Sequence, residues 1–317
     1  MLRVSALEKS FPVRGGFFSR RKGEVHAVSG VSFEIFKGET LGLVGESGCG
    51  KTTVGLCILR LIEPTNGTIS FKGEDIVALD GENLRALRRR MQIVFQDPFG
   101  SLDPQWKVGR IVGEGLGIHG IARGSEREDR IDSILQKVGM KPEDKYRYPN
   151  EFSGGQRQRI GIARALILEP ELVIGDEPLS ALDVSIQAQV INLLTGLQRE
   201  FHFSYLMISH DLSVVKYVSD RIAVMYLGKI VEIAPSNEIY YAAKHPYSKA
   251  LLSAIPVADP TVKKDRILLK GDIPSPITPP GGCRFHTRCH KRMEVCDKDE
   301  PSLKEVGSSH YCACHLY

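Results

Sequence analysis

The sequence predicts an α/β domain built on a buried, mainly parallel sheet, with an inserted helical subdomain and a smaller cysteine-rich extension. Short β-rich runs, apolar on both faces, alternate with helical stretches between residues 1 and 235. This pattern is typical of parallel strands that are covered on both sides. Strand signals stop between residues 103 and 150, and cysteines crowd into residues 283 to 314. These three observations give the predicted fold class and the order of its parts.

Length, charge and hydropathy limit the classes of protein to consider. A chain of 317 residues with 42% hydrophobic content can bury one large core and still carry an appendage. A net charge of +4 is modest for this size and does not indicate a nucleic-acid partner. No run of about 18 to 20 uncharged apolar residues occurs, and the first residues lack the apolar core of a secretory signal. We therefore expect a globular chain that is neither membrane-spanning nor exported.

Hydrophobic periodicity places the elements of the main domain, residues 1–235. Strands are predicted at residues 41–45, 91–95, 171–175, 203–209 and 221–226. Apolar residues at helical spacing predict an amphipathic helix within a helical subdomain at about 103–150; they are Ile131, Ile134, Leu135 and Val138.

The C-terminal extension, residues 236–317, begins with a helix-like stretch and ends in a different composition. Residues 240–256 predict one more helix. Residues 272–282 are rich in Pro and Gly and predict irregular structure. A possible metal-binding segment follows at residues 283–314.

A glycine-rich loop lies between the first predicted strand and a helical stretch. Residues 45–52, GESGCGKT, fit the phosphate-loop pattern GxxxxGKT in the strand–loop–helix setting that its chemistry requires. Glycines let backbone N–H groups surround phosphates, and the helix N-terminus adds a favourable dipole. Lys51 would contact the β- and γ-phosphates, and Thr52 would bind Mg²⁺. The predicted nucleotide-binding residues of this loop are Gly45, Ser47, Gly48, Gly50, Lys51, Thr52 and Thr53.

Two adjacent carboxylates follow the predicted strand at 171–175. Asp176 can hold Mg²⁺ through water, and Glu177 is placed to orient and deprotonate the attacking water. Open α/β folds place their ligands at this edge of the sheet. Acidic pairs after strands are also common as helix caps, but with the upstream loop they form a Walker A and Walker B set. The combination predicts a P-loop NTPase.

A second glycine-rich helix start precedes the Walker B strand. Residues 152–156, FSGGQ, closely resemble the ABC signature LSGGQ and depart from it at the first position. A Ser hydroxyl and glycine N–H groups at a helix start form another phosphate-binding element. Because the chain already has a phosphate loop, this element is expected to contact the nucleotide of a partner subunit in a head-to-tail sandwich. Its contact residues are Ser153, Gly154, Gly155 and Gln156.

Further segments agree with the ABC ATPases, which the chain resembles over roughly residues 1 to 235. The resemblance implies a RecA-like parallel sheet core. It identifies Gln96 as the Q-loop glutamine, which reaches Mg²⁺ and the attacking water, and His210 as the switch histidine on the γ-phosphate. Residues 180–183 are similar to the D-loop. Phe11 matches the aromatic residue that stacks on adenine.

The extension narrows the resemblance. Residues 245–247, HPY, and residues 249–256 are similar to the C-terminal extension of oligopeptide, dipeptide and nickel importer ATPases, most of all the "F" type subunit. This implies an ATPase that energises peptide import as a peripheral protein on the cytoplasmic face of the cell membrane. The implied partners are a second ABC ATPase, two integral membrane permease subunits and an extracytoplasmic peptide-binding protein.

Other functions fit the sequence less well. A nickel or other small-solute importer remains the alternative within the same class. ABC ATPases without a transporter usually carry two cassettes or a long coiled-coil insertion, and exporters usually fuse the ATPase to a membrane domain; neither feature is found in this sequence. An inactive regulatory subunit is disfavoured because Lys51, Asp176, Glu177 and His210 are all in place.

Five of the seven cysteines lie in the extension, and such crowding in a cytosolic protein indicates a metal before a disulfide. The spacing between Cys283, Cys289 and Cys296 lacks the paired C-x2-C of most structural zinc sites. A 4Fe-4S cluster, which needs four cysteines at varied spacing, fits better; Zn²⁺ or no metal are the alternatives. The resemblance to peptide-importer ATPases implies Cys314 rather than Cys312 as the fourth ligand. The expected role is structural, because metal ligation can supply folding energy to a short segment.

Overall fold

The computed structural model describes residues 1–15, 20–180, 182–255 and 265–317. Residue 181 of the predicted D-loop and residue 256 of the predicted C-terminal helix lie outside these ranges. The chain forms two compact units. The first consists of Met1–Glu34, Leu41–Val77 and Ser209–Tyr317, and the second of Ile35–Thr40 and Ala78–Ile208.

The described residues contain strands and helices in the following order. The strands are β1 (Leu2–Gly15), β2 (Arg20–Ile35), β3 (Thr40–Val44), β4 (Asn66–Phe71), β5 (Glu74–Asp75), β6 (Met91–Val94), β7 (Leu172–Asp176), β8 (Ser204–Ser209), β9 (Arg221–Tyr226), β10 (Lys229–Pro235), β11 (Lys304–Gly307) and β12 (His310–Cys312). The α-helices are α1 (Lys51–Ile58), α2 (Gly81–Arg90), α3 (Val108–Ile118), α4 (Gly124–Lys137), α5 (Gly154–Leu166), α6 (Val184–Phe201), α7 (Leu212–Val218), α8 (Ser236–Ala242) and α9 (Pro246–Ser253).

The strands of the first unit form two separate hydrogen-bonded groups. β2, β1, β4 and β5 form one sheet in that order, and β1 pairs with β4 in the antiparallel sense. β3 pairs with β9 in parallel, and β9, β10, β12 and β11 continue in the antiparallel sense. Every residue of β3 is buried. The predicted strands at 41–45 and 221–226 are confirmed, whereas the antiparallel sheet and the β11–β12 hairpin were not expected.

The second unit carries three parallel strands, β6, β7 and β8 in that order. β7 and β8 are buried along their whole length, which agrees with the runs that predicted them. Helices α3 and α4 occupy the stretch where strand signals stop, α5 follows it, and α4 buries Ile131, Ile134 and Leu135. The predicted parallel core strands and the amphipathic helix are therefore confirmed.

The extension differs from the expected single helix after residue 235. Two short helices, α8 and α9, replace it, because a proline occupies the first position of α9 and His245 caps that helix by accepting from the Tyr247 N–H at 3.1 Å. The prediction of one helix is thus wrong. Residues 272–282 have no regular structure, as predicted. Within the described residues, no helix combines the length and apolar character that a bilayer crossing requires.

Candidate functional site

The phosphate-loop segment leaves β3 and closes onto α1 within the first unit. At two of its glycines the backbone has no room for a side chain. A Cβ on Gly45 would lie 2.1 Å from the Met225 carbonyl oxygen, and one on Gly50 would lie 2.1 Å from the Ala27 carbonyl oxygen. Gly50 also has a φ of 104°, which side-chain-bearing residues rarely adopt. These contacts explain why the loop requires glycine at both positions.

Lys51, the first residue of α1, is held inside this loop. Its side chain is buried, with the residue 4% exposed. Its Nζ donates to the carbonyl oxygens of Gly45 at 2.9 Å and Glu46 at 3.1 Å. Ser47, Gly48 and Thr52 are exposed, and Thr53 is half-buried. The loop therefore curls around a single ammonium group, while Ser47, Gly48 and Thr52 stay exposed.

The carboxylate pair lies at the end of β7 in the second unit. Asp176 is the last residue of the strand and is buried. Glu177 has a φ of 45°, in the left-handed region, and its N–H donates to the Ile208 carbonyl oxygen at 2.9 Å. A side-chain-bearing residue in this conformation costs on the order of 1–3 kcal/mol and tends to occur at functional sites. The surrounding structure therefore holds Glu177 in a backbone conformation that is unfavourable for a residue with a side chain.

The second unit brings Gln96 and Glu177 together. Gln96 is exposed and follows β6 closely in sequence. Its Nε2 donates to Glu177 Oε2 at 3.3 Å. Because β6 and β7 are parallel neighbours, residues just after their carboxyl ends meet at one sheet edge. Two of the predicted catalytic residues are thus in contact although 81 positions separate them.

The signature segment begins α5, also in the second unit. Ser153 is the N-cap: its Oγ accepts from the Gln156 N–H at 3.4 Å, and its own N–H donates to Gln156 Oε1 at 3.0 Å. This reciprocal capping box fixes the start of the helix. Ser153 and Gln156 are exposed, and Gly154 and Gly155 are half-buried. The helix start is therefore pre-formed and open to a ligand.

Two further predicted residues lie in the first unit. His210 is exposed and directly follows β8. It precedes α7, whose N-cap Asp211 accepts from the Ser213 N–H at 2.8 Å. Phe11 is half-buried in β1, and Lys9 Nζ lies 4.9 Å from its ring centroid. Phe11 therefore presents a flat ring that already engages a cation.

Four cysteine thiols of the extension lie close enough to affect one another. Burial, and then the charges of Cys296, Cys314 and Cys289, raise the pKa of Cys283 to about 11. Burial, and then the charges of Cys314 and Cys296, raise the pKa of Cys289. Burial, and then the charge of Cys296, also raise the pKa of Cys314. Every pair among these four thiols therefore interacts electrostatically.

Cys312 lies in β12 and is fully buried. Its pKa is raised first by burial, then by the carboxylate of Glu232, and also by Cys314 and Cys283. As placed, the described residues hold no group of three or more His, Cys, Asp or Glu side chains arranged around a metal position. The thiol groups of Cys283, Cys289, Cys296 and Cys314 thus lie near one another but are not arranged around one metal position.

The phosphate-loop residue Glu46 has partners that sequence reasoning missed. Its N–H donates to the Tyr247 hydroxyl at 2.9 Å, and its carboxylate accepts from Arg288. Tyr247 belongs to the HPY segment, whose similarity to importer ATPases was visible in the sequence. Nothing in the sequence indicated its contact, because 201 positions separate the two residues.

Two family models match the chain. "ABC transporter" matches residues 28–180, and "Oligopeptide/dipeptide transporter, C-terminal region" matches residues 231–296.

Curated relatives span essentially the same length. The chain is 54% identical to "Oligopeptide transport ATP-binding protein AppF" of Bacillus subtilis (strain 168), over 100% of this chain and 97% of the relative. It is 53% identical to a "Putative peptide import ATP-binding protein" of Brucella ovis, over 94% of each.

Solved structures of similar fold include dimeric cassettes. A post-hydrolysis dimer of the ATP-binding cassette MJ0796, bound to ADP and Pi, is similar with a TM-score of 0.66 and 28% identity, over 74% of this chain and 99% of that one. The cbiO1 protein of Clostridium perfringens, part of the cbiONQ ABC transporter complex, has a TM-score of 0.65 and 26% identity, over 76% and 90%.

Proposed function

Because this chain belongs to the ABC transporter family, we propose that it is the ATP-hydrolysing subunit of an importer of peptides. Its ABC ATPase fold, its ATPase activity, its use of ATP with Mg²⁺ and its need for membrane permease partners follow from the family. The observation that carries the catalytic part is Glu177, held in a left-handed conformation with Gln96 on its carboxylate. The peptide substrate is supported by the match at residues 231–296 and by the peptide-importing relatives.

Each predicted residue has a role that its own surroundings support. Lys51 is buried in the loop and would exchange its two carbonyl partners for phosphate oxygens. Thr52 and Asp176 would hold Mg²⁺, which supplies charge neutralisation when bound. Glu177 would accept the proton of the attacking water, with Gln96 orienting its carboxylate. His210 would contact the γ-phosphate.

The signature helix supports assembly with a second ATPase subunit. Its capped N-terminus at Ser153 is a phosphate-binding element, and one chain has no second nucleotide for it. We propose a heterodimer in which each subunit covers the nucleotide of the other, beneath two permease subunits on the cytoplasmic face of the membrane. An extracytoplasmic binding protein would deliver the peptide. Closure of the ATPase pair would switch the permeases between access states.

Reconstitution tests this function. The tagged chain is purified from solubilised membranes with its co-purifying subunits, and the complex is placed in lipid vesicles with its binding protein. Dipeptides, longer peptides and Ni²⁺ are compared for uptake and for stimulation of ATP hydrolysis. We expect peptides to stimulate both, and the isolated chain to hydrolyse ATP weakly. Stimulation by Ni²⁺ alone would contradict the peptide assignment, and strong hydrolysis by a verified monomer would contradict the assembly.

We also infer that Cys283, Cys289, Cys296 and Cys314 hold a 4Fe-4S cluster. Burial and neighbouring thiols raise the pKa of Cys283, Cys289 and Cys314. A cationic centre that bound the cysteines as thiolates would offset their mutual repulsion. Backbone N–H groups of Lys291 and Met293 point at the sulfurs of Cys289 and Cys296 at 3.3 and 3.4 Å; hydrogen bonds to sulfur tune such centres.

The cysteine spacing favours a cluster over zinc, because it lacks the paired C-x2-C of most structural zinc sites. An iron–sulfur cluster needs four cysteines and accepts varied spacing between them. Anaerobic purification followed by iron, sulfide and zinc analysis tests the inference. We expect four irons per chain, lost in Cys314→Ser and kept in Cys312→Ser; one zinc without iron would refute it.

A further inference from the structure

Glu46, the second residue of the phosphate loop, is held at three of its polar groups. Its N–H donates to the Tyr247 hydroxyl at 2.9 Å. Its carbonyl oxygen accepts from Lys51 Nζ at 3.1 Å. Its carboxylate accepts two hydrogen bonds from Arg288, at 2.7 Å from Nη1 and 3.1 Å from Nη2. Two of these three partners, Tyr247 and Arg288, belong to the C-terminal extension.

The pair formed by Arg288 and Glu46 is well shielded from water. The side chains are 8% and 23% exposed, and the Arg288 guanidinium carbon lies 5.9 Å from the Tyr226 ring centroid. A two-pronged contact between guanidinium and carboxylate is among the stronger hydrogen-bonded pairs and is geometrically specific. The pair is therefore positioned to fix the loop, in contrast to the loosely held surface pairs of the chain.

A second connection joins the same part of the extension to the loop. Arg284 donates to the Leu227 carbonyl oxygen, and the N–H of the next residue, Gly228, donates to the Cys49 carbonyl oxygen at 2.9 Å. Phe285, between the two arginines, packs on Tyr226 and Tyr247 with ring centroids 5.2 and 5.3 Å away. Arg284, Phe285 and Arg288 all lie between Cys283 and Cys289 in sequence.

The charge of Glu46 gives the contact a consequence for nucleotide binding. A carboxylate in a loop that must receive phosphates is unfavourable by Coulomb repulsion, and more so when it is partly shielded from water. The charge of Glu46 is already felt nearby, since after burial it helps to raise the pKa of Cys49 and of Tyr247. Arg288 offsets this charge and anchors its position.

We propose that Arg288 is a positioning residue of the ATP site, through which the segment from Cys283 to Cys289 controls how tightly the phosphate loop binds MgATP. This rests on the proposed nucleotide site. The cysteine-rich segment would touch no nucleotide, and Arg288 would act through its contact with Glu46. Loss of the ordered segment, by any route, would leave an unpaired carboxylate in the loop.

A double-mutant cycle tests the proposal on the full-length chain. MgATP affinity is measured by titration calorimetry for Arg288→Ala, Glu46→Gln and the double variant. We expect Arg288→Ala to weaken binding about tenfold, a typical coupling between sites. Glu46→Gln should stay within about threefold of wild type, and the double variant should recover to the same range. A double variant as weak as Arg288→Ala alone would overturn the proposal.

Three controls separate the possible failures. Arg292→Ala removes a nearby arginine of the same extension, whose partner Asp297 is at the surface; the two side chains are 51% and 38% exposed. This variant should bind MgATP as wild type does. An Arg288→Ala chain no weaker than Arg292→Ala refutes the inference. Lys51→Ala should abolish binding, and if it does not, the proposed nucleotide site fails instead. If Arg288→Ala does not fold, Arg288→Lys, which keeps the charge but not the fork, should weaken binding less, and Glu46→Gln should remove that loss.

Discussion

The phosphate loop and the cysteine-rich segment belong to the same unit, but the contacts that fix them differ in how far apart the partners lie in the sequence. Within the loop, Lys51 donates to neighbours in sequence, Glu46 and Gly45, five and six positions away. The cysteine-rich segment is joined to the rest of the unit by distant partners, such as Arg288 on Glu46, 242 positions away. The chemistry of a contiguous motif can therefore be predicted from the sequence, whereas that of a site assembled from distant residues cannot.

The largest expected effect tests whether catalysis depends on the contiguous motifs alone. Glu177→Gln keeps the shape of the side chain and removes the proton acceptor, so the assembled transporter should lose about 10² to 10⁴ in turnover. Binding of MgATP and the iron content should remain. Glu171→Gln is the matched control, because that carboxylate precedes the same strand and pairs with Arg90 at 2.7 Å, half-exposed. Turnover of Glu177→Gln close to that of the control would disprove the assignment.

The same contrast explains how much of the structure the sequence predicted. The parallel strands were predictable because both of their faces are buried, as in β3 and β7, so their runs are apolar throughout. The sheet formed by β2, β1, β4 and β5 was missed, because its strands bury only alternate residues over short stretches, such as Val31, Phe33 and Ile35. They therefore lack the continuous apolar runs of the parallel strands. In the extension, β12 has only three residues, too few to show any period.

The residues of the candidate site also differ in whether the sequence could predict them. Motif spacing predicted Lys51, Asp176 and Glu177 without the structure. The partners of Glu46, Tyr247 and Arg288, could not be predicted, since 201 and 242 positions separate them from it. Only packing in three dimensions brings these residues together. The division of the main domain and the extension at residue 235 remains a prediction.

The next largest effect concerns the long-range contacts that hold the extension. Glu232 in β10 is fully buried and accepts from the Lys244 and His245 N–H groups at 2.6 and 3.1 Å. His310 of β12 places Nε2 at 2.7 Å from the same carboxylate. Glu232→Ala leaves three polar groups without this partner, two of them buried, so the free energy of unfolding should fall by about 3 to 5 kcal/mol.

Urea unfolding followed by circular dichroism measures this loss. Glu238→Ala is the matched control: its carboxylate lies 3.9 Å from the other ring nitrogen of His310, but its side chain is 52% exposed. That change should cost less than about 1 kcal/mol. Equal losses of unfolding free energy in the two variants would mean that the buried carboxylate of Glu232 does not hold the extension. Long-range contacts would then matter less for the extension than we infer.

The smallest expected effect is a pH dependence located at the junction of the extension. His245 is 1% exposed, and burial lowers its pKa to about 3. Its Nδ1 accepts from the Tyr247 N–H, and Nε2 has no hydrogen-bond partner within the described part of the chain. The folded state therefore keeps this imidazole neutral, and protonation must be avoided for α9 to stay capped.

The direction of the effect follows from the two protonation equilibria. In the unfolded chain His245 takes up a proton below about pH 6.5, while in the folded chain it does so only near pH 3. Between these values the unfolded state binds more protons, so stability falls as the pH falls. The loss reaches about 2 kcal/mol at pH 5, at about 1.4 kcal/mol per pH unit.

The variant His245→Asn tests this pH effect, because it keeps a capping oxygen for α9 and removes the titration. The variant should therefore lose about 2 kcal/mol less than wild type between pH 7.5 and pH 5 in urea unfolding. If both chains lose the same amount, acid sensitivity arises elsewhere, and the HPY segment contributes a cap without a proton-linked penalty.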